Sequence, residues 1–243
     1  MAPIALVNAF AYVHAHDFTA DENALTFTGD AAENDATTFR SAGWKTFGPG
    51  GLKNGALAMG GLWQSGSGDF VDPILWNDLA VPDRVMTFGP AETEGGVAYL
   101  WQGAHYQYQL GGEIGALLPF TLEARNSNRD GVVRGQLAKA MASVSATGVL
   151  GSIVNLGVVG AAQYLYATLH VLGTPGTTVT VQLQSDDSAG FGSPTTRATL
   201  GPLTSAGGTW MTRIAGAITD THYRFNVSAI TGTFVLAGAI GVQ

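Results

Sequence analysis

With 243 residues, 46% hydrophobic and only 12% charged, the chain has enough apolar material for a real core and is not a disordered protein. Its net charge of −7 argues against a nucleic-acid-binding module, which draws its affinity from basic side chains, and the absence of cysteine excludes disulfides, thiolate metal sites and a cysteine nucleophile. So few charges mean that either the fold buries an unusual share of its surface or other chains cover it; lack of cysteine favours assembly in a reducing compartment.

The opening MAPIALVNAFAYV has no basic n-region and is too short to span a bilayer, so neither a signal peptide nor a transmembrane helix is expected. The N-terminal stretch is acidic: Asp17, Asp21, Glu22, Asp30, Glu33 and Asp35 all precede the first basic residue, Arg40. Phe10 to His14 and Leu25 to Thr28 read as short strands, and 29–51 as a long polar loop with Phe39, Trp44 and Phe47 among polar residues, which either docks on a partner or folds back on its own domain. Leu52 to Trp63 reads as a strand kinked at Gly60 and Gly61. Asp72 followed by Pro73 marks a helix start, with Asp72 as cap and Pro82 as the stop.

Ala98 to Leu110 and Leu118 to Arg125 form a plausible strand pair, with Phe120, Leu122 and Ala124 on one face. Val132 to Ala146 fits a strand better than a helix, because Gly135 and the serines are poor helix residues. The small-residue stretch from Ser145 to Gly151 is the expected domain boundary, dividing the chain into 1–147 and 148–243. Beyond it, Leu165, Ala167, Leu169 and Val171 alternate with polar or aromatic residues, as do Val179, Val181 and Leu183. These two half-buried strands are expected to pair as a hairpin through the turn Gly173 to Gly176. Runs from Tyr223 to Ala229 and from Phe234 to Val242 complete an all-β C-terminal unit; the sequon at Asn226 lies inside one of them and reads as chance.

Signatures of catalysis are missing: no P-loop, no H-E-x-x-H and no G-x-S-x-G occurs. His14, His16, Asp17 and His105 are a candidate metal set, but nothing completes it at a recognisable spacing, which favours surface or interface histidines. Asn126 to Gly131 imitates the start of a calcium loop, yet Leu137 occupies its closing position. Asp186 and Asp187 are adjacent rather than facing across a cleft, so they read as a hairpin end. No cofactor is expected.

Glu33 to Leu52, ENDATTFRSAGWKTFGPGGL, with the following Gly60-Gly61 strand, resembles the opening of tailed-phage tail tube proteins, also called major tail proteins, of the siphophage-like kind. The segments Gln163 to Ala167, Ser185 to Phe191, Thr196-Arg197 and Ile218 to Arg224 resemble the same family. The resemblance implies a mainly β protein: a β-sandwich or half-barrel tail-tube fold with one short flanking helix, plus a C-terminal β-sandwich unit. It implies self-assembly into hexameric or pseudo-hexameric rings stacked into a tube. Other tail proteins would be partners, double-stranded DNA would pass through the lumen without specific binding, and no membrane would be involved. Assembly would occur in the host cytoplasm and the product would reside in the virion tail. The loop 29–51 would reach the neighbouring ring through Thr37, Thr38, Phe39, Arg40, Trp44 and Lys45.

The physics of the chain points the same way: rings satisfy unpaired strand edges, and an acidic lumen wall repels phosphate. Two other readings remain open at this point: another virion component, such as a decoration or tail-terminator protein, and a carbohydrate-binding β-sandwich module using Trp210 and Tyr223.

Overall fold

The structure is a computed structural model that describes residues 6–40, 43–48, 50–66 and 70–243. The first five residues of the opening run, and 41, 42 and 49 of the polar loop, lie outside them. The N-terminal part contains β1 (Phe10–Val13), β2 (His16–Asp17), β3 (Glu22–Ala31), β4 (Asn34–Asp35), β5 (Phe47–Gly48), β6 (Lys53–Leu62) and helix α1 (Val71–Asn77). It continues with β7 (Arg84–Gly89), β8 (Val97–Leu110), β9 (Pro119–Asn126) and β10 (Val133–Val144). The remainder contains β11 (Gly148–Asn155), β12 (Tyr164–Leu172), β13 (Thr178–Asp186), β14 (Thr195–Leu203), β15 (Gly207–Trp210), β16 (Ile214–Ala215), β17 (His222–Thr231) and β18 (Phe234–Val242). The fold is mainly β with one short helix, in sandwiched sheets.

A large sheet runs in the order β15-β12-β18-β10-β8-β7-β1-β2, and from β8 a branch continues through β9 and β6 to β3. A second sheet, β11-β17-β13-β14, covers one face of the first. Leu169, Val181, Leu183, Phe225 and Phe234 fill the space between the two. The other face of the large sheet curls on itself and encloses Phe10, Tyr12, Leu100, Leu137 and Tyr166. A third core, with Leu57, Phe88, Trp101, Phe120 and Leu122, lies between β1, β7 and β8, the branch and α1. Burying each such side chain contributes roughly 1.5–3 kcal/mol, so three contiguous cores hold the layers in place.

Tyr164 to Val171 and Val179 to Leu183 do form strands, but they are not a hairpin. β12 pairs with β18 from Leu165↔Val242 to Leu172↔Val235, whereas β13 pairs with β14 and β17 in the opposite sheet. The alternation along β12 is genuine, yet both of its faces are buried: Leu165, Ala167, Leu169 and Val171 face the sandwich, and Tyr166 and Leu172 the curl. A strand buried on both sides belongs in the middle layer, while β13, with Thr180 and Gln182 only half-buried, belongs in an outer one. The turn therefore arches between sheets.

Three smaller expectations also change. Residue 70, not Asp72, precedes α1, and Asp72 accepts hydrogen bonds from Trp63 Nε1 (3.1 Å) and the Tyr108 hydroxyl (2.8 Å) instead of capping. Strand β6 runs on through Gly60 and Gly61, and a Cβ on Gly61 would sit 1.9 Å from the carbonyl oxygen of Asp21. The glycine is there for close approach of β3 rather than for a kink. Much of the polar loop 29–51 is a two-stranded arm: β3 and β6 pair out to Ala31↔Lys53, and β4 pairs with β5 beyond them.

Candidate functional site

β3, β6, β9 and the far half of β8 make a four-stranded antiparallel meander whose inward face is packed and whose outward face is free. Alternation decides which side chain goes where. Leu57, Met59, Phe120, Leu122 and Ala124 point into the core. Outward, the strands align Thr26, Ala58, Glu123 and Gln107 in one cross-strand row and Ala24, Gly60, Thr121 and Gln109 in the next. The outward charges are few: Arg125 donates to Glu123 at 2.5 Å, and exposed Asp30 lies toward the arm. Among the described residues no cluster of basic residues lies on this face.

The meander has two open edges. Among the described residues β3 pairs only with β6, and its pairing is regular from Ala24 to Ala31. On β8, Gly103 has β7 on one side and β9 on the other; past the contact of Ala80 N with His105 O, no strand among the described residues covers the β7 side of 106–110. The second sheet also ends in two edge strands, but these are blunted. β14 contains Pro202 and two register shifts, and β11 has a shift between Leu150 and Val154. Proline at an edge prevents pairing with another chain; the meander's edges lack proline, and their register shifts, at Glu22/Ala24 and His105/Gln107, leave 24–31 of β3 and 107–110 of β8 regular.

The predicted contact residues lie together on the arm. Thr37 N donates to Asp35 Oδ1 (2.9 Å) in a local turn, and Thr46 N donates to Thr37 Oγ1 (3.0 Å), which ties the arm's two sides beyond β4 and β5. Lys45 Nζ lies 4.0 Å from Asp35 in an exposed pair that contributes little. Thr38 and Arg40 are exposed, Phe39 is fully exposed and Trp44 is 81% exposed. Phe47 and Leu52 add to this apolar surface. At the root of the arm a groove of about 580 Å³ is lined by Phe27, Tyr99 and Val132 with Asp30, Lys53 and Arg134 at its polar parts.

Sequence reasoning missed the opposite end of the meander. There the turn 111–118 between β8 and β9 carries fully exposed Ile114 and 74% exposed Leu117, beside partly exposed Leu62, Leu110 and Leu118. Its signal was three large aliphatic residues inside a glycine-bounded turn, where polar residues are the rule. Close by, Glu22 is largely buried, Oε1 has no hydrogen-bond partner, and burial with the Asp17 and Asp21 charges pushes its carboxyl up to about 9.

The other candidates have structural partners. His105 Nε2 is 2.7 Å from the Leu75 carbonyl oxygen, and His14 Nδ1 accepts from Gly208 N at 3.2 Å. Among the described residues no group of three or more His, Asp or Glu could hold a metal ion. Asn128 closes a turn by accepting from Asp130 N (2.8 Å), and Asp186 is buried, accepting from the amides of Ser188 and Ser193 (both 3.0 Å). Tyr223 is buried with its hydroxyl 2.8 Å from the Asp220 carbonyl oxygen, so it offers a sugar no open ring face, and half-buried Trp210 packs on Tyr166.

No family model matches the chain, and no curated protein matches it. Three of the solved structures to which it is similar follow. One is a chain of the virion of a native gene transfer agent particle, at 13% identity and a TM-score of 0.41, covering 50% of this chain and 92% of that one. A second belongs to the tail of an empty gene transfer agent particle with C6 symmetry, at 14% identity and 0.36, covering 44% and 78%. A third is the Dit protein of phage SPP1, described as a hub adsorption apparatus, at 10% identity and 0.40, covering 97% and 99%.

Proposed function

We propose that the protein is a non-enzymatic structural subunit of a phage tail or related tail-like particle, closing into rings that stack into the tube through which double-stranded DNA passes. The observation that carries this reading is the pair of open, proline-free meander edges. Four successive antiparallel strands make β3 and β8 antiparallel to each other. Rotation about an axis along the strands then sets β8 of one subunit beside β3 of the next in antiparallel register, and closure leaves neither of these two edges unpaired. Six subunits with four strands each would line a continuous barrel. Pro202 on the β14 edge favours that arrangement over a pseudo-hexameric one in which the C-terminal sheet also joins the wall.

On this reading 1–147 carry the tube wall and the arm, and 148–243 form an outer sandwich whose surface meets other tail proteins. The wall would present Thr, Ala and Gln with two acids, Asp30 and Glu123, against one base, Arg125. DNA would slide past such a surface, because phosphate binding requires clustered Lys and Arg. The product resides in the virion tail after assembly in the host cytoplasm, which suits a chain without cysteine.

Negative-stain electron microscopy over a concentration series, with light scattering on the same samples, tests this directly. Rings or hollow tubes are expected, and a persistent compact monomer would refute the reading. Because the natural chain has no cysteine, Thr28→Cys with Gln107→Cys and a flexible bismaleimide should give a ladder of covalent oligomers ending at the closed ring.

A further inference from the structure

The two ends of the meander complement each other. The arm leaves from Ala31 and Lys53, and the β8–β9 turn lies beyond Leu62 and Leu110, nine residues along β6 or about 30 Å away. Both ends expose large apolar side chains: Phe39, Trp44 and Leu52 on the arm, Ile114 and Leu117 on the turn. Beyond β4 the tip of the arm carries Arg40 and Lys45, with Lys45 beside Asp35 of β4, whereas the turn carries Glu113 and no base, with Asp21 nearby, its backbone oxygen accepting from Leu62 N. Separated apolar patches at opposite ends of one subunit cannot meet within it. They match the opposite ends of two copies related by translation along the strands, a heterologous contact that repeats without closing.

We propose that the β8–β9 turn, with Glu113, Ile114 and Leu117 and flanked by Leu62, is the surface on which the arm of a second copy in the adjoining ring lands. The inference rests on the ring reading and adds to it the receiving surface. Trp44 and Phe39 lie over the aliphatic residues of the turn, where burial removes exposed apolar area from both partners, while Arg40 and Lys45 face Glu113 and Asp21. The strand axis fixes the direction of stacking: every arm points the same way along the tube. One end of a finished tube therefore displays free arms and the other free turns. Whatever begins or ends growth meets chemically different surfaces at the two ends.

The test compares tube growth by the full chain and by Ile114→Asp and Leu117→Asp, both at exposed turn positions that leave the cores untouched. Circular dichroism checks the fold, and electron microscopy with light scattering reads rings and tubes separately. Rings of normal size, with the protein concentration needed for tubes raised at least tenfold, are expected. A charge exchange gives an independent reading: Arg40→Glu with Lys45→Glu should block stacking, and adding Glu113→Lys should restore part of it. Tubes that grow unimpaired in both turn variants would overturn the inference while leaving the ring reading intact. Failure of the unaltered protein to form rings would overturn both. In tubes that do form, Trp44→Cys with Ile114→Cys should cross-link through a bismaleimide between rings; links confined within single rings would also overturn it.

Discussion

Thr87 Oγ1 lies 2.8 Å from His170 Nε2 inside the curl of the large sheet, joining β7 of the N-terminal part to β12 of the C-terminal part. His170 Nδ1 is 2.9 Å from the His14 carbonyl oxygen, so it carries the proton, and Nε2 accepts from Thr87. Thr168 Oγ1, 2.8 Å from Thr87 Oγ1, extends the chain. These four residues satisfy one another in an otherwise apolar space, and a buried polar group left unpaired there would cost about 1–3 kcal/mol.

That network makes the junction acid-sensitive. Burial pushes the His170 imidazole down to about 4, so the unfolded chain takes up a proton that the folded one refuses. Stability from this source is complete above the unfolded value near 6.5 and falls as pH drops towards 4, by about 1.4 kcal/mol per unit. Urea midpoints of the unaltered protein and His170→Gln, measured between pH 7.5 and 4.5, should converge as pH falls. Parallel curves would sink this assignment.

Glu22 acts with the opposite sign. Its carboxyl, raised to about 9, stays protonated in the fold while the unfolded chain ionises from about 4.5 upward. Stability from Glu22 is complete below 4.5 and is lost as pH rises towards 9, again by about 1.4 kcal/mol per unit. Glu22→Gln should therefore have a flatter thermal midpoint against pH between 6 and 9 than the unaltered protein. Equal slopes would mean that the carboxyl is ionised in the fold.

Gly135 faces Gly241 where β10 and β18 approach closely, and a Cβ there would meet the Ile240 carbonyl oxygen at 2.1 Å. Gly135→Ala is expected to destabilise by at least the roughly 1–3 kcal/mol typical of overpacking. Gly111→Ala, where a Cβ meets nothing within 4 Å, should stay within about 0.5 kcal/mol. Chemical denaturation of both variants checks the contrast, and equal losses would contradict the packing argument.

Deleting 37–45 removes the tip of the arm without touching the three cores. The remaining protein should fold with an unchanged denaturation midpoint and form rings that do not stack. Sedimentation and electron microscopy distinguish this from unimpaired tube growth, which would rule out the arm as the contact between rings.

Local period fixed much of the strand inventory in advance. Phe120, Leu122 and Ala124 identified their buried face because side chains alternate along any strand, whatever its partner. The exposed aromatics Phe39 and Trp44 were equally legible, since apolar rings among polar loop residues are visible without a fold. Partnership was not. Alternation is the same for a strand in a hairpin and for one in the middle of three layers, so β12 and β13 looked like neighbours. Only the burial of Thr168 and His170 against Thr87 separates them into different sheets. The role of Gly61 depended on the carbonyl of Asp21, a residue forty positions away in the chain. The open edges of β3 and β8, and the placing of the arm and the β8–β9 turn at opposite ends of one meander, arise from pairings between distant segments. Backbone hydrogen bonding and close packing decide those pairings in three dimensions, and a one-dimensional pattern does not encode which edge remains free.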